Sequence, residues 1–134
     1  MKQKVRFGIL GPGKIANRFT DSFVHVPDAE VVAIASRDPE RARAFAEKHA
    51  IARHYDTYEK LVNDPEVDII YVATPHPFHC ENTLYCLRAG KAVLCEKPLA
   101  MNFRQAKEMI DTARQKNVFL MEGMWSRFFP TTNK

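Results

Sequence analysis

Residues 5–16 of the chain read VRFGILGPGKIA. The apolar run 5–10 is typical of a strand buried in a parallel sheet, and a stretch with helical spacing of apolar residues follows it. Between the two lies a glycine-rich turn, Gly11-x-Gly13-x-x-Ala16. In this context, between a buried strand and a helix, such a turn predicts a site for the phosphates of a dinucleotide.

Each small residue of the turn has its own role. Gly11 permits a tight turn, Gly13 lets the main chain approach a pyrophosphate, and Ala16 lets the helix pack closely on the strand. The free amides of the first helical turn then face the phosphates, helped by the helix dipole. The alternative is an ordinary strand-to-helix turn that binds no ligand. The predicted cofactor contacts in the turn are Gly11, Gly13, Lys14, Ile15 and Ala16.

The rest of the chain continues the alternation of strand and helix. Further apolar runs bounded by turn residues lie at 31–35, 69–73, 92–95 and 118–121, with helical spacing in stretches between them. Because strands alternate with helices, the sheet is expected to be mostly parallel. We therefore predict an α/β fold with a doubly wound, Rossmann-type sheet.

Residues that begin and end helices support this division. Asp38 before Pro39 is typical of a helix N-cap, and two capping-box patterns pair an Asx residue with a Glu or Gln three positions later. These patterns are Asn102 with Gln105, and Asp56 with Glu59. Asn63-Asp64-Pro65 and Ala89-Gly90 are expected to end helices.

The composition limits the kind of protein. At 134 residues and 46% hydrophobic content, the chain is long enough for one domain with a buried core. The formal charge of +4 suits an anionic ligand, but basic and acidic residues are interspersed, so we expect no nucleic-acid partner. Cys80, Cys86 and Cys95 show no C-x-x-C spacing, which favours buried free thiols and no metal site. No apolar segment is long enough for a membrane span, and we expect a soluble, cytoplasmic protein without a membrane partner.

The end of the second strand bears on the choice between NAD and NADP. NAD-binding versions of the turn have an acidic residue about twenty positions further on, which accepts hydrogen bonds from the ribose 2′-hydroxyl. Here that position falls at Ser36, followed by Arg37. Both side chains can donate to a 2′-phosphate, which a carboxylate would repel. Asp38 could restore NAD binding but is also placed to cap a helix, so we predict NADP, with NAD possible.

Three motifs follow later strands, at the edge where the carboxyl ends of parallel strands meet a ligand crevice. They are Thr74-Pro75-His76-Pro77-Phe78-His79, Glu96-Lys97-Pro98 and Trp125-Ser126-Arg127-Phe128-Phe129-Pro130. Together with the glycine-rich turn, they make the whole chain resemble the N-terminal half of the Gfo/Idh/MocA oxidoreductases. Ser36-Arg37 and the tryptophan motif are most similar to the branch with NADP-dependent dihydrodiol dehydrogenases and D-xylose dehydrogenases.

The resemblance implies hydride transfer between nicotinamide and a carbon that bears a hydroxyl or carbonyl group, with a proton moving to or from its oxygen. Lys97 is the implied proton donor and acceptor, because an ammonium group stabilises a developing alkoxide. His79 is a second catalytic candidate, although it could equally be a hydrogen-bonded structural residue. The other implied cofactor contacts are Thr74, Pro75, His76, Glu96, Lys97, Trp125 and Arg127. Trp125 and Arg127 could instead support a domain junction.

The resemblance also implies a division of the chain. Residues 1–121 correspond to the NAD(P)-binding Rossmann domain, and residues 122–134 to the start of a crossing to a C-terminal substrate domain that this chain lacks. We expect the full-length form to be a homo-oligomer. The isolated domain is expected to be inactive or poorly active, because the groups that position the substrate are missing.

These observations predict the cofactor-binding domain of an NADP-dependent dehydrogenase that acts on a small-molecule sugar or cyclic diol. One alternative is a nucleotide-sensing or regulatory module without catalytic activity. Another is a structural or partner-binding domain that binds no nucleotide.

Overall fold

The computed structural model describes residues 3–123. The strands are β1 (Val5–Leu10), β2 (Ala29–Ala35), β3 (Arg53–Tyr55), β4 (Ile69–Val72), β5 (Ala92–Glu96) and β6 (Leu120–Gly123). The α-helices are α1 (Lys14–Asp21), α2 (Pro39–His49), α3 (Tyr58–Val62), α4 (His79–Arg88) and α5 (Phe103–Lys116). Short 3-10 helices lie at Ser22–His25 and His76–Phe78.

Within residues 3–123 the six strands form one sheet in the order β3-β2-β1-β4-β5-β6. Every pair of neighbouring strands is parallel. The chain starts at the centre of the sheet, runs outward through β2 and β3, and returns to β4 on the other side of β1. This strand order is that of a doubly wound Rossmann sheet, and it confirms the predicted fold class.

The predicted strand boundaries of all five apolar runs agree with the structure to within two residues. The fifth, at 118–121, begins two residues late, because the amide of Val118 donates to the carbonyl of Ala113 (3.0 Å) and so closes the end of α5. The sequence did not predict β3. Its residues are Arg53, His54 and Tyr55, and as an edge strand it pairs only with β2, so it needs no apolar run.

The helix caps agree with two of the three predictions. The Asp38 side chain accepts from the amide of Glu40 (3.0 Å), and that of Asn102 accepts from the amide of Gln105 (2.9 Å). The prediction of Asp56 as a cap was wrong. Thr57 caps α3 by accepting from the amide of Lys60 (3.2 Å), while the Asp56 carboxylate pairs with the Lys60 ammonium group (2.9 Å).

Both faces of the sheet are covered. Successive residues of a strand point to opposite faces, so Leu10 packs with Leu84 and Met109 from α4 and α5. Ile9 packs on the other face with Phe45 from α2. The core therefore has two halves with the sheet between them, which leaves the ends of the strands free to carry a site.

The cysteines agree with the expectation of buried free thiols. All three cysteines are free and buried, and burial raises the pKa of Cys86 and Cys95 to about 12. Among residues 3–123, no group of three or more His, Cys, Asp or Glu side chains could hold a metal ion. In the same part of the chain, every helix is too short or too polar to cross a lipid bilayer.

Candidate functional site

A cavity of about 480 Å³ opens at the carboxyl edge of the sheet, where the strand order reverses between β1 and β4. The predicted site residues that line it are Gly11, Gly13, Lys14, Ile15, Ser36, Arg37, Thr74, Pro75, His76, His79 and Glu96. Ala16 lies fully buried beneath the loop, and Lys97 follows Glu96 outside the lining. The predicted contacts Trp125 and Arg127 lie outside the described residues. The topology thus brings most of the predicted residues to one crevice.

The two loop glycines are needed for different reasons. Gly11 has φ +104°, and a Cβ there would lie 3.1 Å from the main-chain carbon and oxygen of Ala73. Only glycine fits this position without strain. Gly13 has an ordinary φ of −85°, and a Cβ on it would meet nothing within 4 Å. The space above Gly13 therefore belongs to the cavity, and a side chain there would enter the volume that a pyrophosphate needs.

The start of α1 supplies unpaired donors to the same space. The amide of Asn17 donates to the carbonyl of Gly13 (3.1 Å), which closes the first turn. In the described part of the chain, the amides of Lys14, Ile15 and Ala16 donate to no protein acceptor. The first turn of α1 contains no acidic residue. Free amides at the positive end of a helix dipole bind anions, so the loop fits a dinucleotide phosphate.

The end of β2 presents a hydroxyl and a guanidinium group to the cavity. Ser36 is buried, and its oxygen accepts from the amide of Asp38 (3.1 Å), so the hydroxyl proton is left to donate elsewhere. The Asp38 carboxylate is occupied by the amide of Glu40. The nearest acid therefore serves as a helix cap, as the sequence favoured.

Arg37 lies between two aromatic rings at the mouth of the cavity. Its guanidinium carbon is 5.4 Å from the ring centre of Tyr58 and 5.9 Å from that of Phe78. A second cation, Arg41, lies one helical turn into α2, with Nη2 3.5 Å from the carbonyl of Pro12. Both guanidinium groups line the cavity, so its rim beside β2 is positively charged.

Seven lining residues were not among the predicted contacts: Pro12, Asp38, Arg41, Tyr58, Ala73, Phe78 and Asn82. Arg41 had a usable signal, since a position three residues after an N-cap lies in the first turn of its helix. Phe78 ends the 3-10 helix after β4 and belongs to the motif 74–79 that the sequence placed at the crevice, although it was not named as a contact. Tyr58 comes from α3, which is distant in sequence, and it has no pattern that points to the cavity.

His79 begins α4 and holds two loops together. Its ring nitrogens lie 2.7 Å from the carbonyl oxygen of Pro98 and 2.8 Å from that of Thr74. The residue is 1% exposed. With both nitrogens engaged by the main chain, the geometry favours the structural role that the sequence left open. Exchange of a proton with a substrate would require one of these contacts to break.

The loop after β4 is fixed by a second contact and also carries His76. The hydroxyl of Thr74 accepts from the amide group of Asn82 (2.7 Å), and Thr74 is buried. His76 is exposed, with its ring 5.5 Å from that of His79 in an edge-on arrangement. His76 is thus free to meet a ligand at the cavity mouth, whereas Thr74 lies deeper.

Glu96 and Lys97 end β5 and have different surroundings. The Glu96 side chain is buried and accepts a hydrogen bond from the hydroxyl of Tyr71, whose ring stacks on that of Phe19 at 3.8 Å. Burial and this bond raise the pKa of Tyr71 well above its usual range, so the hydroxyl remains the donor. Lys97 is exposed, and within residues 3–123 its ammonium group forms no ion pair with Glu96. The carboxylate therefore does not stabilise the charged amine in this arrangement.

The alignments with named relatives include most of this chain but only part of each relative. Trans-1,2-dihydrobenzene-1,2-diol dehydrogenase from Xenopus tropicalis is 53% identical over 127 residues, which are 93% of this chain and 38% of that protein. The protein of the same name from Mus musculus is 51% identical over 128 residues, 94% of this chain and 38% of that protein. The chain thus spans well under half the length of these relatives.

Solved structures show the same fold. A 3-ketoreductase from Actinomadura kijaniata, in complex with TDP-benzene and NADP, superposes with a TM-score of 0.92 and 35% identity, over 98% of this chain and 42% of that one. The WlbA dehydrogenase, in complex with NADH and UDP-GlcNAcA, superposes with a TM-score of 0.90 and 26% identity, over 98% of this chain and 38% of that one.

A family model described as an oxidoreductase family with an NAD-binding Rossmann fold matches residues 5–124. The match includes the glycine-rich turn, the end of β2 and the loops after β4 and β5, which are the elements that line the cavity. The chain therefore belongs to the Gfo/Idh/MocA family of oxidoreductases and contains its NAD-binding Rossmann domain.

Proposed function

We propose that this chain is the cofactor-binding domain of an NADP-dependent oxidoreductase. The reaction is hydride transfer between nicotinamide and a hydroxyl- or carbonyl-bearing carbon of a cyclic diol or sugar. The observation that carries the NADP proposal is the rim beside β2, where Ser36, Arg37 and Arg41 line the cavity while the Asp38 carboxylate is used as a helix cap.

The charges at this rim support the proposed preference for NADP(H). A 2′-phosphate is a dianion or monoanion at neutral pH, and guanidinium groups bind phosphate with charge-assisted hydrogen bonds. The planar group of Arg37, held near Tyr58 and Phe78, is also suited to stacking on adenine. A ribose 2′-hydroxyl gains less from these cations, and the Asp38 carboxylate already accepts the cap bond through Oδ1. The rim should therefore bind NADP(H) more tightly than NAD(H).

The experiment is a fluorescence or calorimetric titration of the chain with NADPH and with NADH. We expect NADPH to bind at least about tenfold more tightly, and Arg37→Ala to remove most of that difference by weakening NADPH more than NADH. Arg43→Ala is the matched control, because Arg43 is a nearby arginine on α2 that pairs with Glu40 and Glu47 and does not line the cavity. Equal or tighter binding of NADH would contradict the proposal.

The relatives support the substrate class. The proteins at about half identity are named for a dihydrobenzene diol, and the two structural neighbours were solved with nucleotide-linked ligands. The relatives' name includes a cyclic diol, and the ligand UDP-GlcNAcA of one neighbour includes a sugar, so together they support a cyclic diol or a sugar. The fold alone does not fix the substrate.

Lys97 is the proposed proton donor and acceptor. Bound nicotinamide would supply the hydride-transfer chemistry, and the protein must handle the proton on the substrate oxygen. Lys97 follows the buried Glu96 directly, at the strand end beside the cavity, and its amine is not paired with that carboxylate. An ammonium group there would stabilise a developing alkoxide and return its proton to the oxygen.

The test of Lys97 uses Lys97→Ala in the longer polypeptide that includes the substrate domain, because the isolated domain is expected to be inactive or poorly active, and it has two readouts. We expect NADPH affinity to stay within about twofold, since Lys97 lies outside the cavity lining, and oxidation of a dihydrodiol or sugar to fall to background. Turnover that survives the substitution would exclude Lys97 as the proton carrier. Binding of NADPH without any turnover that depends on Lys97 would favour the nucleotide-sensing alternative.

The remaining expectations concern the whole polypeptide. We propose that residues 122–134 lead from the Rossmann domain towards a substrate domain, and that the longer polypeptide is a homo-oligomer. The length of the relatives supports the substrate domain. Within the described residues, β6 continues to Gly123, so the strand extends two residues past the boundary predicted at 121.

A further inference from the structure

Asn17 links the glycine-rich turn at residues 11–16, called the phosphate loop below, to α2. Its side-chain amide forms one hydrogen bond to each of the two elements. Its Nδ2 donates to the carbonyl oxygen of Gly13 (3.1 Å), and its Oδ1 lies 2.7 Å from Nε2 of His49. Because the Gly13 carbonyl can only accept, the Asn17 atom that faces it must be the amide nitrogen. Nε2 of His49 therefore carries a proton and donates to Asn17.

His49 is held in this position by its neighbours. Its side chain is 6% exposed, its ring lies 4.5 Å from that of Phe45, and its Nδ1 lies 3.5 Å from the Asp21 carboxylate. Burial lowers the pKa of His49, an effect that Asp21 opposes and Lys48 reinforces. The contact with Asn17 requires a proton on Nε2 in the neutral and in the charged ring alike.

The Gly13 carbonyl matters because of the amide on the other side of the same peptide bond. A peptide unit is planar, so the direction of the Gly13 carbonyl fixes the direction of the Lys14 N–H. The carbonyl accepts from both the main-chain amide and the side chain of Asn17. The Lys14 amide, in turn, is one of the donors at the start of α1 that no protein acceptor uses in residues 3–123.

We propose that Asn17 and His49 are positioning residues for the cofactor pyrophosphate. His49 orients the Asn17 side chain, and Asn17 holds the Gly13–Lys14 peptide so that its N–H is directed into the cavity before a ligand arrives. Preorganised donors bind more tightly because less ordering is needed on binding. This inference rests on the proposed function of the loop as a dinucleotide site, and it explains why a polar pair joins α1 and α2 behind that loop.

The test compares two ligands that differ in their use of the loop. NADPH contains the pyrophosphate, whereas adenosine 2′-monophosphate has only the group expected at the Arg37 rim. For Asn17→Ala we expect NADPH to bind about three- to tenfold more weakly and adenosine 2′-monophosphate to stay within about twofold. A variant that merely loosens the domain would weaken both ligands.

Thr20→Val is the matched control. Thr20 lies on the same helix and also donates from its side chain to a carbonyl four residues earlier, that of Ala16 (2.8 Å), but it does not touch Gly13. We expect both ligands to bind Thr20→Val as they bind the wild type. Circular dichroism and thermal unfolding of each variant establish that it is folded under the titration conditions.

The role of His49 is tested by a pair of substitutions. His49→Leu removes the donor and should weaken NADPH by a factor similar to that of Asn17→Ala. His49→Gln keeps an N–H donor and should restore part of the affinity. Combining Asn17→Ala with His49→Leu should add little to either single change, because the two residues act through one contact.

The outcomes separate this inference from the proposed function. Unchanged NADPH affinity in Asn17→Ala, or equal weakening of both ligands, overturns the positioning role. If wild-type protein prefers NADH, the NADP proposal fails, but the effect of Asn17→Ala on NADH still tests the loop, since NADH has the same pyrophosphate. A chain that binds neither dinucleotide overturns both.

Discussion

The two glycines of the phosphate loop are needed for different reasons, one for the main-chain conformation and the other for ligand space. Gly11 is required by the main chain, because of its positive φ and its contact with Ala73. Gly13 has a conformation that would tolerate a side chain, and we expect the ligand to require glycine there, because a side chain would occupy cavity space. Stability and binding should therefore respond differently at the two positions.

We predict that Gly11→Ala lowers the free energy of unfolding by about 1–3 kcal/mol, the cost of a strained main-chain conformation. Gly13→Asp should leave the free energy of unfolding unchanged or raise it, because Asp is a good N-cap. The same substitution should weaken the binding of NADPH by at least about tenfold. Urea unfolding and NADPH titration measure the two effects. Gly13→Asn is the control that separates bulk from charge. Normal NADPH affinity in both Gly13 variants would show that the phosphates do not lie over this residue.

Tyr71 gives a second prediction at this scale. Tyr71→Phe keeps the ring stacked on Phe19 but removes the donor to the buried Glu96 carboxylate. We expect a loss of about 1–3 kcal/mol in the free energy of unfolding, because a buried acceptor is left without its partner. Urea denaturation measures it, with Tyr85→Phe on the half-exposed Tyr85 as control. Equal stability of Tyr71→Phe and wild type would mean that the bond contributes nothing.

At the scale of elements, the sequence predicted the central strands, the phosphate loop and the cap at Asp38. Those features leave local signals, since a buried parallel strand is apolar throughout and a cap has a preferred residue type. It missed β3, which is a polar edge strand, and it chose Asp56 over Thr57. The ring of Tyr58 beside Arg37 was missed for another reason. That contact joins distant elements, and no local pattern encodes it.

Asp38 provides the prediction for helix α2. Asp38→Ala should lower the free energy of unfolding by about 1 kcal/mol through loss of the N-cap. The ratio of NADPH to NADH affinity should not move, because the carboxylate is engaged with the amide of Glu40 and not with a ribose. Urea unfolding measures the change in stability, and titrations with NADPH and NADH measure the affinity ratio. Glu30→Ala is the control, because it removes an exposed acidic side chain elsewhere. A selective loss of NADH affinity would instead assign Asp38 to the ribose.

At the scale of the whole molecule, Asp64 is the buried charge that connects the edge strand β3 to the loop before β4. Its carboxylate accepts from Nε of Arg53 (2.8 Å), the hydroxyl of Tyr55 (2.9 Å) and the amide of Glu66 (2.8 Å). Burial acts to raise the pKa of Asp64, but these partners outweigh it and hold the pKa below the usual 3.8. The folded state thus favours the ionised form.

The acid stability of the domain should depend on this residue. A carboxyl group with a lowered pKa in the folded state stabilises the protein above its unfolded pKa of about 3.8, and this stabilisation is lost as the pH falls through the folded value. Asp64→Asn should be less stable than wild type at pH 7 and lose less stability between pH 4 and pH 2. The midpoints of urea denaturation of both proteins, taken across this pH range, measure the loss of stability. Parallel pH curves for the two proteins would rule out this source of acid sensitivity.

The contacts of His79 also have a consequence for local unfolding. Because one ring binds the carbonyl of Thr74 and the carbonyl of Pro98, residues 74–78 and 97–99 cannot open separately without breaking a bond to that ring. The two segments should behave as one cooperative unit, with a shared opening free energy in native-state hydrogen exchange. A ligand that touches only the first segment would then also slow exchange in the second, and so protect the backbone around Lys97 without contacting it.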